Sequence, residues 1–254
     1  MRKAILGLVV LAAAAISAAP VFAAEEVFQQ TYALRAGGSF ELQNVNGPVL
    51  VSGWERAAVE VYAKKTTRGD PRELQRVRIE VTTRPDSVSV QTRYPEGDGV
   101  EVFVEYHVRV PYHVELRHVG TVNGRVSVSG VETAGELRSV NGDVEVSDSA
   151  GRLSVRTTNG NVRVELRELA PDNPISVETV NGSVVLALPP DAGAELDVRS
   201  LNGDFRSDLP VALPAQAGSL GAREFRGRLG SGGSPIKIRT VNGGIRVVTT
   251  RPTV

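Results

Sequence analysis

Residues 121–128 read TVNGRVSV, and eighteen residues later the chain repeats this pattern as SVNGDVEV at residues 139–146. The Asn-Gly pair at its centre occurs seven times, and four of the six intervals between successive copies are 18 to 22 residues long. Self-similarity at such a period indicates a stacked or regular array of strands. The seven pairs are Asn46-Gly47, Asn123-Gly124, Asn141-Gly142, Asn159-Gly160, Asn181-Gly182, Asn202-Gly203 and Asn242-Gly243.

The residues on both sides of each Asn-Gly pair alternate as they do in half-buried strands. The fourth residue before the Asn is aliphatic in every copy, and the third and fifth residues after it are apolar in every copy except at Ser207. Since alternate residues of a strand share a face, each arm predicts a strand that sends every second side chain into a core. The second residue before the Asn is small and polar in every copy: Asn44, Thr121, Ser139, Thr157, Thr179, Ser200 and Thr240.

The Asn-Gly pairs are interpreted as structural turns and not as ligand-binding residues. A tight two-residue reversal needs positive φ, which Gly adopts freely and Asn tolerates better than most residues. If the copies stack, the Asn side chains are also able to hydrogen-bond to the turns above and below.

Two all-β architectures fit this pattern. In a long antiparallel meander, each Asn-Gly pair closes a hairpin between its own two arms. In a single-stranded β-helix or β-solenoid-like array, each coil of about 20 residues pairs in parallel with the next coil. Because like side chains then stack on like, the matched positions favour the solenoid-like array, and the meander remains the alternative.

The segment between the first two copies carries longer alternating runs separated by turn residues. These runs predict an N-terminal set of antiparallel β-hairpins, and some of their strands are candidates for degenerate copies of the repeat. A short helix is predicted around residues 71–76, a degenerate coil within residues 206–234, and a strand followed by a glycine loop at residues 224–233. The predicted hairpin strands are residues 59–65, 77–83, 87–94 and 100–116.

The amino terminus has the features of a secretory signal. A basic pair at residues 2–3 precedes an apolar run at residues 4–19, and small residues lie before Ala24. We therefore predict a signal peptide at residues 1–23 and a single β-repeat domain at residues 24–254, exported to the periplasm, the cell surface or the medium. A retained membrane anchor is disfavoured because Ser17 and Pro20 interrupt the run, which is shorter than the ~20 residues that span a bilayer. No stable membrane span is expected after cleavage.

The charge of the chain argues against two classes of partner, and its cysteine content excludes disulfides. Without residues 1–23 the chain keeps 27 basic and 29 acidic residues, a formal charge of −2. Nucleic acid is not an expected partner because phosphate binding needs a concentrated basic face, and docking to anionic lipid gains no support either. The chain has no Cys, so its stability must come from packing and hydrogen bonds and not from disulfides.

Residues with catalytic or metal-binding chemistry form no recognisable set. Along a strand His107 and His113 would lie about 20 Å apart, too far for one metal ion, and His118 is interpreted with them as a solvated strand histidine. Asp143 and Asp204, two residues after the Asn in their copies, belong to non-adjacent copies. The sequence therefore predicts no catalytic residues, no cofactor and no metal site, and a protein that is not an enzyme.

Arginine recurs at one position of the repeat, three residues before the Asn. If the copies stack, these arginines form part of an outward stripe that Glu178 and Gln43 interrupt. The ordinary explanation is a solubilising face that also blunts edge pairing. The sharper hypothesis is a binding strip for an anionic polymer, formed by Arg138, Arg156, Arg199 and Arg239.

Several motifs together resemble one family. They are TVNG at residues 121–124, 179–182 and 240–243, SVNGDV at residues 139–144, and GRLGSGG at residues 227–233 ahead of IKIRTVNG at residues 236–243. The combination, over roughly residues 40–248, resembles the bacterial "putative adhesin" family of unknown function, whose β-repeat domain is also described as toastrack-type. The resemblance implies a β-helix-like fold at or outside the membrane, an adhesive or signalling role, and no accepted catalytic residues.

The expected function is that of a non-catalytic, exported, adhesin-like β-repeat scaffold that presents an extended face to an envelope protein or a polysaccharide. Two alternatives remain open. One is a carbohydrate-active enzyme built on a solenoid, and the other is an accessory protein of envelope-stress or other signalling.

Overall fold

The computed structural model describes residues 23–97, 99–132, 135–212 and 224–250. Residues 1–22 of the predicted signal peptide lie outside the described residues, as do residues 213–223 of the predicted degenerate coil and residues 251–254 of the tail.

Most of the described residues lie in strands, and there is one short helix among them, α1 (Glu73–Arg76). The strands are β1 (Ala24–Ala33), β2 (Ser39–Gln43), β3 (Val49–Trp54), β4 (Ala58–Thr67), β5 (Arg78–Arg84), β6 (Ser87–Arg93), β7 (Val102–Pro111), β8 (Glu115–Asn123), β9 (Val126–Ser129), β10 (Gly135–Asn141), β11 (Val144–Ser149), β12 (Leu153–Arg156), β13 (Val162–Leu166), β14 (Ile175–Asn181), β15 (Val184–Leu188), β16 (Ala194–Asn202), β17 (Phe205–Ser207), β18 (Val211–Ala212), β19 (Glu224–Leu229), β20 (Ser234–Asn242) and β21 (Ile245–Thr249).

These strands build two sheets that enclose one continuous hydrophobic core. Sheet A has the order β1-β4-β7-β3-β9-β11-β13-β15-β21-β17, and sheet B has the order β18-β19-β16-β20-β14-β12-β10-β8-β2-β6-β5. Alternate residues of the repeat strands are buried, as in β11 and β14, because each strand turns one face to the core. The prediction of an all-β, solenoid-like array is confirmed.

Each Asn-Gly pair joins a strand of sheet B to a strand of sheet A. The two arms of a copy therefore do not pair with each other, and the meander alternative is wrong. Successive coils pair in parallel and in register instead, so that Val144 lies between Val126 and Val162. Like residues thus stack on like along the core.

The last coil is inserted into the stack out of chain order. Strands β20 and β21 lie between the coil of β14 and β15 and the coil of β16 and β17. Strand β19 pairs antiparallel with the other edge of β16, and residues 230–233 then turn the chain into β20. The predicted strand and glycine loop at residues 224–233 are present. Within the described part of residues 206–234, β17 ends the Asn202 copy, and β18 and β19 pair antiparallel, so the predicted degenerate coil is not found there.

The N-terminal hairpins are only partly as predicted. Strands β5 and β6 form an antiparallel hairpin, but β6 pairs in parallel with β2, and β7 pairs in parallel with β3. Strands β6 and β7 thus make a further coil without an Asn-Gly pair, and β4 and β1 extend sheet A antiparallel beyond it. Alternation shows which residues are buried but not the direction of the neighbouring strand, which explains the difference.

The short helix α1 falls within the segment predicted to be helical. It is tied to sheet A by Lys65, whose buried ammonium donates to the carbonyl oxygens of Leu74 and Val77 at 2.7 and 3.1 Å. The same ammonium lies 2.7 Å from the carboxylate of Glu26. Three partners at such distances satisfy a charge that would otherwise be costly to bury.

The corner glycines are required by close approach of the backbone. A Cβ at Gly124, Gly142 or Gly160 would lie 2.0 to 2.2 Å from the carbonyl oxygen of the corner glycine in the neighbouring coil. Among the seven corner glycines only Gly47 and Gly243 have φ in the left-handed region, and none of the corner asparagines does. The positive-φ explanation is therefore wrong for most copies, because the chain turns from one sheet to the other and does not fold back on itself.

The small polar residue two positions before each corner Asn stabilises this close approach from the core side. In six copies its hydroxyl donates to the carbonyl oxygen of the corner glycine in the neighbouring coil, at 2.9 to 3.1 Å. In the Asn46 copy, Asn44 Nδ2 donates instead to the carbonyl oxygens of Gly47 and Val104, at 3.1 and 2.8 Å. These residues are buried, and each hydroxyl or amide has its partner.

The seven corner asparagines form one side-chain ladder. Their spatial order is Asn46, Asn123, Asn141, Asn159, Asn181, Asn242 and Asn202, and in each step Nδ2 of one Asn donates to Oδ1 of the preceding Asn at 2.8 Å. The ladder follows the stacking order and not the chain order. It therefore includes the inserted coil.

Two phenols, the half-buried Tyr94 and the buried Tyr106, lie at the N-terminal end of the corner stack. Tyr94 Oη donates to the carbonyl oxygen of Val102 at 2.8 Å, and Tyr106 Oη lies 2.7 Å from the hydroxyl of Thr92. Burial raises the pKa of Tyr94 to about 12 and also raises the pKa of Tyr106. Both groups are therefore held neutral well into the alkaline range.

Gly182→Ala should destabilise the protein by at least about 1–3 kcal/mol, the usual cost of overpacking, because the new Cβ would lie 1.9 Å from the carbonyl oxygen of Gly160. The matched control is Gly244→Ala, in the neighbouring corner, where the nearest atom is 3.6 Å away and φ is not in the left-handed region. Urea unfolding measures both. Equal destabilisation by the two variants would contradict the close-approach explanation.

The free energy of unfolding should fall as the pH rises from about 10 to about 12. Because burial raises the pKa of Tyr94 to about 12, above the ~10 of an unfolded chain, the folded state keeps its proton where the unfolded state has lost it. The contribution is therefore complete below pH ~10 and is lost as the pH passes the folded value. Urea unfolding at a series of pH values checks this. Tyr94→Phe should reduce the fall in the free energy of unfolding over this pH range. If the fall is unchanged in the variant, groups other than Tyr94 cause it.

Candidate functional site

The outer face of sheet B carries the four arginines predicted as a strip. Each lies three residues before a corner Asn, so in-register pairing brings them into one row across β10, β12, β14, β20 and β16. The row, here called the arginine row, runs in the order Arg138, Arg156, Glu178, Arg239 and Arg199. Neighbouring strands of a sheet are about 4.8 Å apart, so the row is about 19 Å long.

Ion pairs neutralise only half of the arginines in this row. Arg156 Nε lies 3.2 Å from the carboxylate of Glu178, and Arg199 Nη2 lies 3.0 Å from the carboxylate of Glu224 on β19. Within the described ranges, Arg138 and Arg239 have no ion pair. The row therefore keeps an excess of positive charge and two guanidinium groups that are free to bind an anion.

An aliphatic row runs beside the arginine row, one residue before each corner Asn. Two residues along a strand point to the same face about 7 Å apart, so both rows lie on the outside of sheet B. The side chains in the aliphatic row are unusually exposed for their type, at 36 to 48%: Val122, Val180, Leu201 and Val241.

A groove of about 640 Å³ lies between the two rows and is called the sheet B groove. Its walls are the four arginines on one side and Val180, Leu201 and Val241 on the other. The groove is open to solvent and follows the stacking axis. It can therefore hold an extended ligand that is anionic along one edge and apolar along the other.

Carboxylates do not converge in this groove. Glu178 is the only acidic residue among its described lining residues, and its carboxylate is held by Arg156. Asp143 accepts a hydrogen bond from the backbone of Asn161 at 2.7 Å, and Asp204 lies on a corner of a non-adjacent coil. Hydrolysis of a glycosidic bond normally needs two carboxyl groups across the bond, an arrangement that these positions do not provide.

The three histidines lie beside three different carboxylates. His107 is 2.9 Å from Glu105, His113 is 3.4 Å from Glu132, and His118 is 3.7 Å from Glu136. In the part of the chain that the structure describes, no group of three potential ligands is placed to hold a metal ion.

Sequence reasoning missed the aliphatic row, although the residue before the Asn is aliphatic in six of the seven copies. It also missed that Arg239 lies between Glu178 and Arg199, because the chain order of the copies does not show the insertion of the last coil. The corner Asn-Gly residues lie directly beside the aliphatic row.

No helix in residues 23–97, 99–132, 135–212 and 224–250 is long and apolar enough to cross a membrane.

Comparison with known proteins places the chain in a family. The Toastrack DUF4097 family model matches residues 32–248. No curated protein matches the chain. Similar solved structures include a "putative cell adhesion protein" from Clostridium sporogenes ATCC 15579, which is 12% identical with a TM-score of 0.49 and covers 89% of this chain and 100% of that one. Another is a "putative adhesin" from Bacteroides fragilis NCTC 9343, 11% identical with a TM-score of 0.44, covering 89% of this chain and 97% of that one.

The match to the family model includes every Asn-Gly corner and all the coils of both sheets. It extends over more than four fifths of the sequence. This chain therefore belongs to the Toastrack DUF4097 family.

Proposed function

We propose that this protein is an exported, adhesin-like, non-catalytic scaffold that binds an anionic polysaccharide of the cell envelope along the sheet B groove. The observation that carries the proposal is the arginine row, in which Arg138 and Arg239 have no ion pair within the described residues. Export follows from the signal sequence predicted at residues 1–23.

The length of the groove favours a polymer. The arginine row, about 19 Å long, offers two cationic positions on each side of Glu178, so a chain with repeated anionic groups gains several contacts at once. A small anion would use only one of them. The parallel strands also fix the spacing of the arginines before the ligand arrives, which lowers the cost of ordering on binding.

The chemistry of the two walls favours a polysaccharide over an acidic peptide. A guanidinium presents a planar fork of donors that matches carboxylate, sulfate or phosphate groups. The aliphatic row offers Val180, Leu201 and Val241 to the apolar faces of sugar rings on the opposite side. An acidic peptide would satisfy the arginines but would gain less from a continuous aliphatic wall.

The double variant Arg138→Glu/Arg239→Glu should weaken binding of alginate, a polyuronate, by at least about tenfold at low salt. The reason is that both unpaired guanidinium groups are replaced by carboxylates that repel the ligand. Biolayer interferometry at several salt concentrations measures this, and the wild-type affinity should fall as salt rises. Arg206→Glu/Arg246→Glu is the charge-matched control, because both arginines are exposed but lie on strands β17 and β21 of sheet A.

Three results would reject the proposal. The first is an equal loss of alginate binding in the two double variants, which would indicate a general charge effect. The second is release of new sugar ends from alginate by the wild-type protein, which would indicate an enzyme. Tighter binding of polyglutamate than of alginate would assign the groove to an acidic protein segment instead.

A further inference from the structure

A second concave surface lies on the outer face of sheet A, far from the arginine row in the fold. It crosses β1, β4, β7, β3 and β9 and has a volume of about 430 Å³. Its lining includes Leu50, Ser52 and Ser127 on β3 and β9, here called the floor, and Tyr62, His107 and Arg109 on β4 and β7, here called the wall. We call this surface the sheet A trench.

The polar part of the wall is fixed in place. Arg109 donates through Nε and Nη2 to Oε1 of Glu60, at 3.1 and 2.5 Å. The guanidinium of Arg109 also lies over the ring of Trp54, 4.8 Å from its centroid, and Trp54 Nε1 donates to the carbonyl oxygen of Ala58 at 2.7 Å. The side chain of Glu60 is only 17% exposed. The ion pair is therefore held rigidly by its neighbours, which favours preorganised binding.

This ion pair retains unused hydrogen-bonding atoms. Within the described residues, Oε2 of Glu60 and Nη1 of Arg109 have no hydrogen-bond partner. One is an acceptor and the other is a donor, and they belong to a pair with no net charge. Adjacent hydroxyl groups of a sugar can donate to the first and accept from the second. The hydroxyls of Ser52 and Ser127 on the floor add further donors and acceptors.

The aromatic part of the wall supplies the apolar contact. The rings of Tyr62 and His107 meet edge to face, with centroids 5.9 Å apart and an angle of 70° between their planes. His107 Nε2 lies 2.9 Å from Glu105, which orients the imidazole. Aromatic rings bury large apolar areas and keep a polar end available. Leu50 extends this apolar surface onto the floor.

We propose that the sheet A trench is a binding site for a neutral saccharide. The charged groups in its wall form an ion pair and so carry no net charge. The floor adds hydroxyl groups, and the wall adds an aromatic surface. This combination suits an uncharged polyhydroxylated ring. An anionic ligand would be repelled by the carboxylates of Glu60 and Glu105. A purely apolar ligand would leave the free hydrogen-bonding atoms of the ion pair without partners. The site is independent of the sheet B groove in position and in chemistry.

The test is an NMR chemical-shift titration of the full chain with cellohexaose, maltohexaose and chitohexaose as neutral probes. At least one probe should shift the resonances of β4, β7 and β3. Tyr62→Ala should weaken that binding by at least about tenfold, because the aromatic contact is lost. Ser127→Trp places a large side chain on the floor and should also block binding. Because it changes a different strand, it tests the site even if Tyr62→Ala fails to fold.

Two controls separate this site from its surroundings. Phe103→Ala removes an exposed ring from the same face of β7, four residues from His107 and outside the trench, and should leave the affinity unchanged. Arg138→Glu/Arg239→Glu should also keep saccharide binding while losing alginate. The proposal is overturned if none of the three probes binds, or if binding survives both Tyr62→Ala and Ser127→Trp.

Discussion

The structure depends on how closely neighbouring coils approach at their corners. Six of the seven corner glycines lie against the carbonyl oxygen of the corner glycine in a neighbouring coil, and Gly47 lies against that of Val104, so closely that an added Cβ would come within 1.9 to 2.2 Å of the oxygen. A buried hydroxyl hydrogen-bonds to the same oxygen in six copies, and the amide ladder joins the asparagines on the outside. These contacts permit one register only, because a slip of one residue would place a side chain where only hydrogen fits and would turn every buried side chain outward.

A fixed register gives the outer surfaces their chemistry. Once coils stack in parallel without offset, any position of the repeat becomes a straight row, and the spacing of that row is the spacing of the strands. The arginine row and the aliphatic row both arise in this way, from the third and the first residue before the Asn. A groove between two such rows needs no loop of its own, and its walls are as rigid as the core beneath them.

The sequence alone was sufficient for the core and for much of the proposed site. Aliphatic residues such as Val144 and Val162 recur at matched positions, which predicted parallel stacking, and the four arginines recur in the same way. The order of the coils was not predictable, since β20 and β16 have equally good patterns and only packing decides which of them lies beside β14. The direction of β7 was missed for a related reason: alternation is the same in parallel and antiparallel strands. The role of glycine was misjudged because Asn-Gly also favours hairpins, and only the distance between coils distinguishes a corner from a hairpin.

The two binding surfaces differ because the residues that line the sheet B groove lie on strands of Asn-Gly copies, whereas the sheet A trench also crosses strands that lack this pattern. On sheet B the row beside the corners comes almost wholly from Asn-Gly copies, which explains why one type of side chain recurs and why the surface suits a polymer with a repeating charge. On sheet A the row through Ser129 and Ser52 continues onto β7 and β4, which lack the Asn-Gly pattern, and there the side chains become Arg109 and Glu60. Small residues of the repeat therefore lie next to large residues of the irregular strands, and this step in height creates the trench. Regular coils thus favour an extended binding surface, whereas the boundary between regular and irregular strands favours a local site for a single ligand.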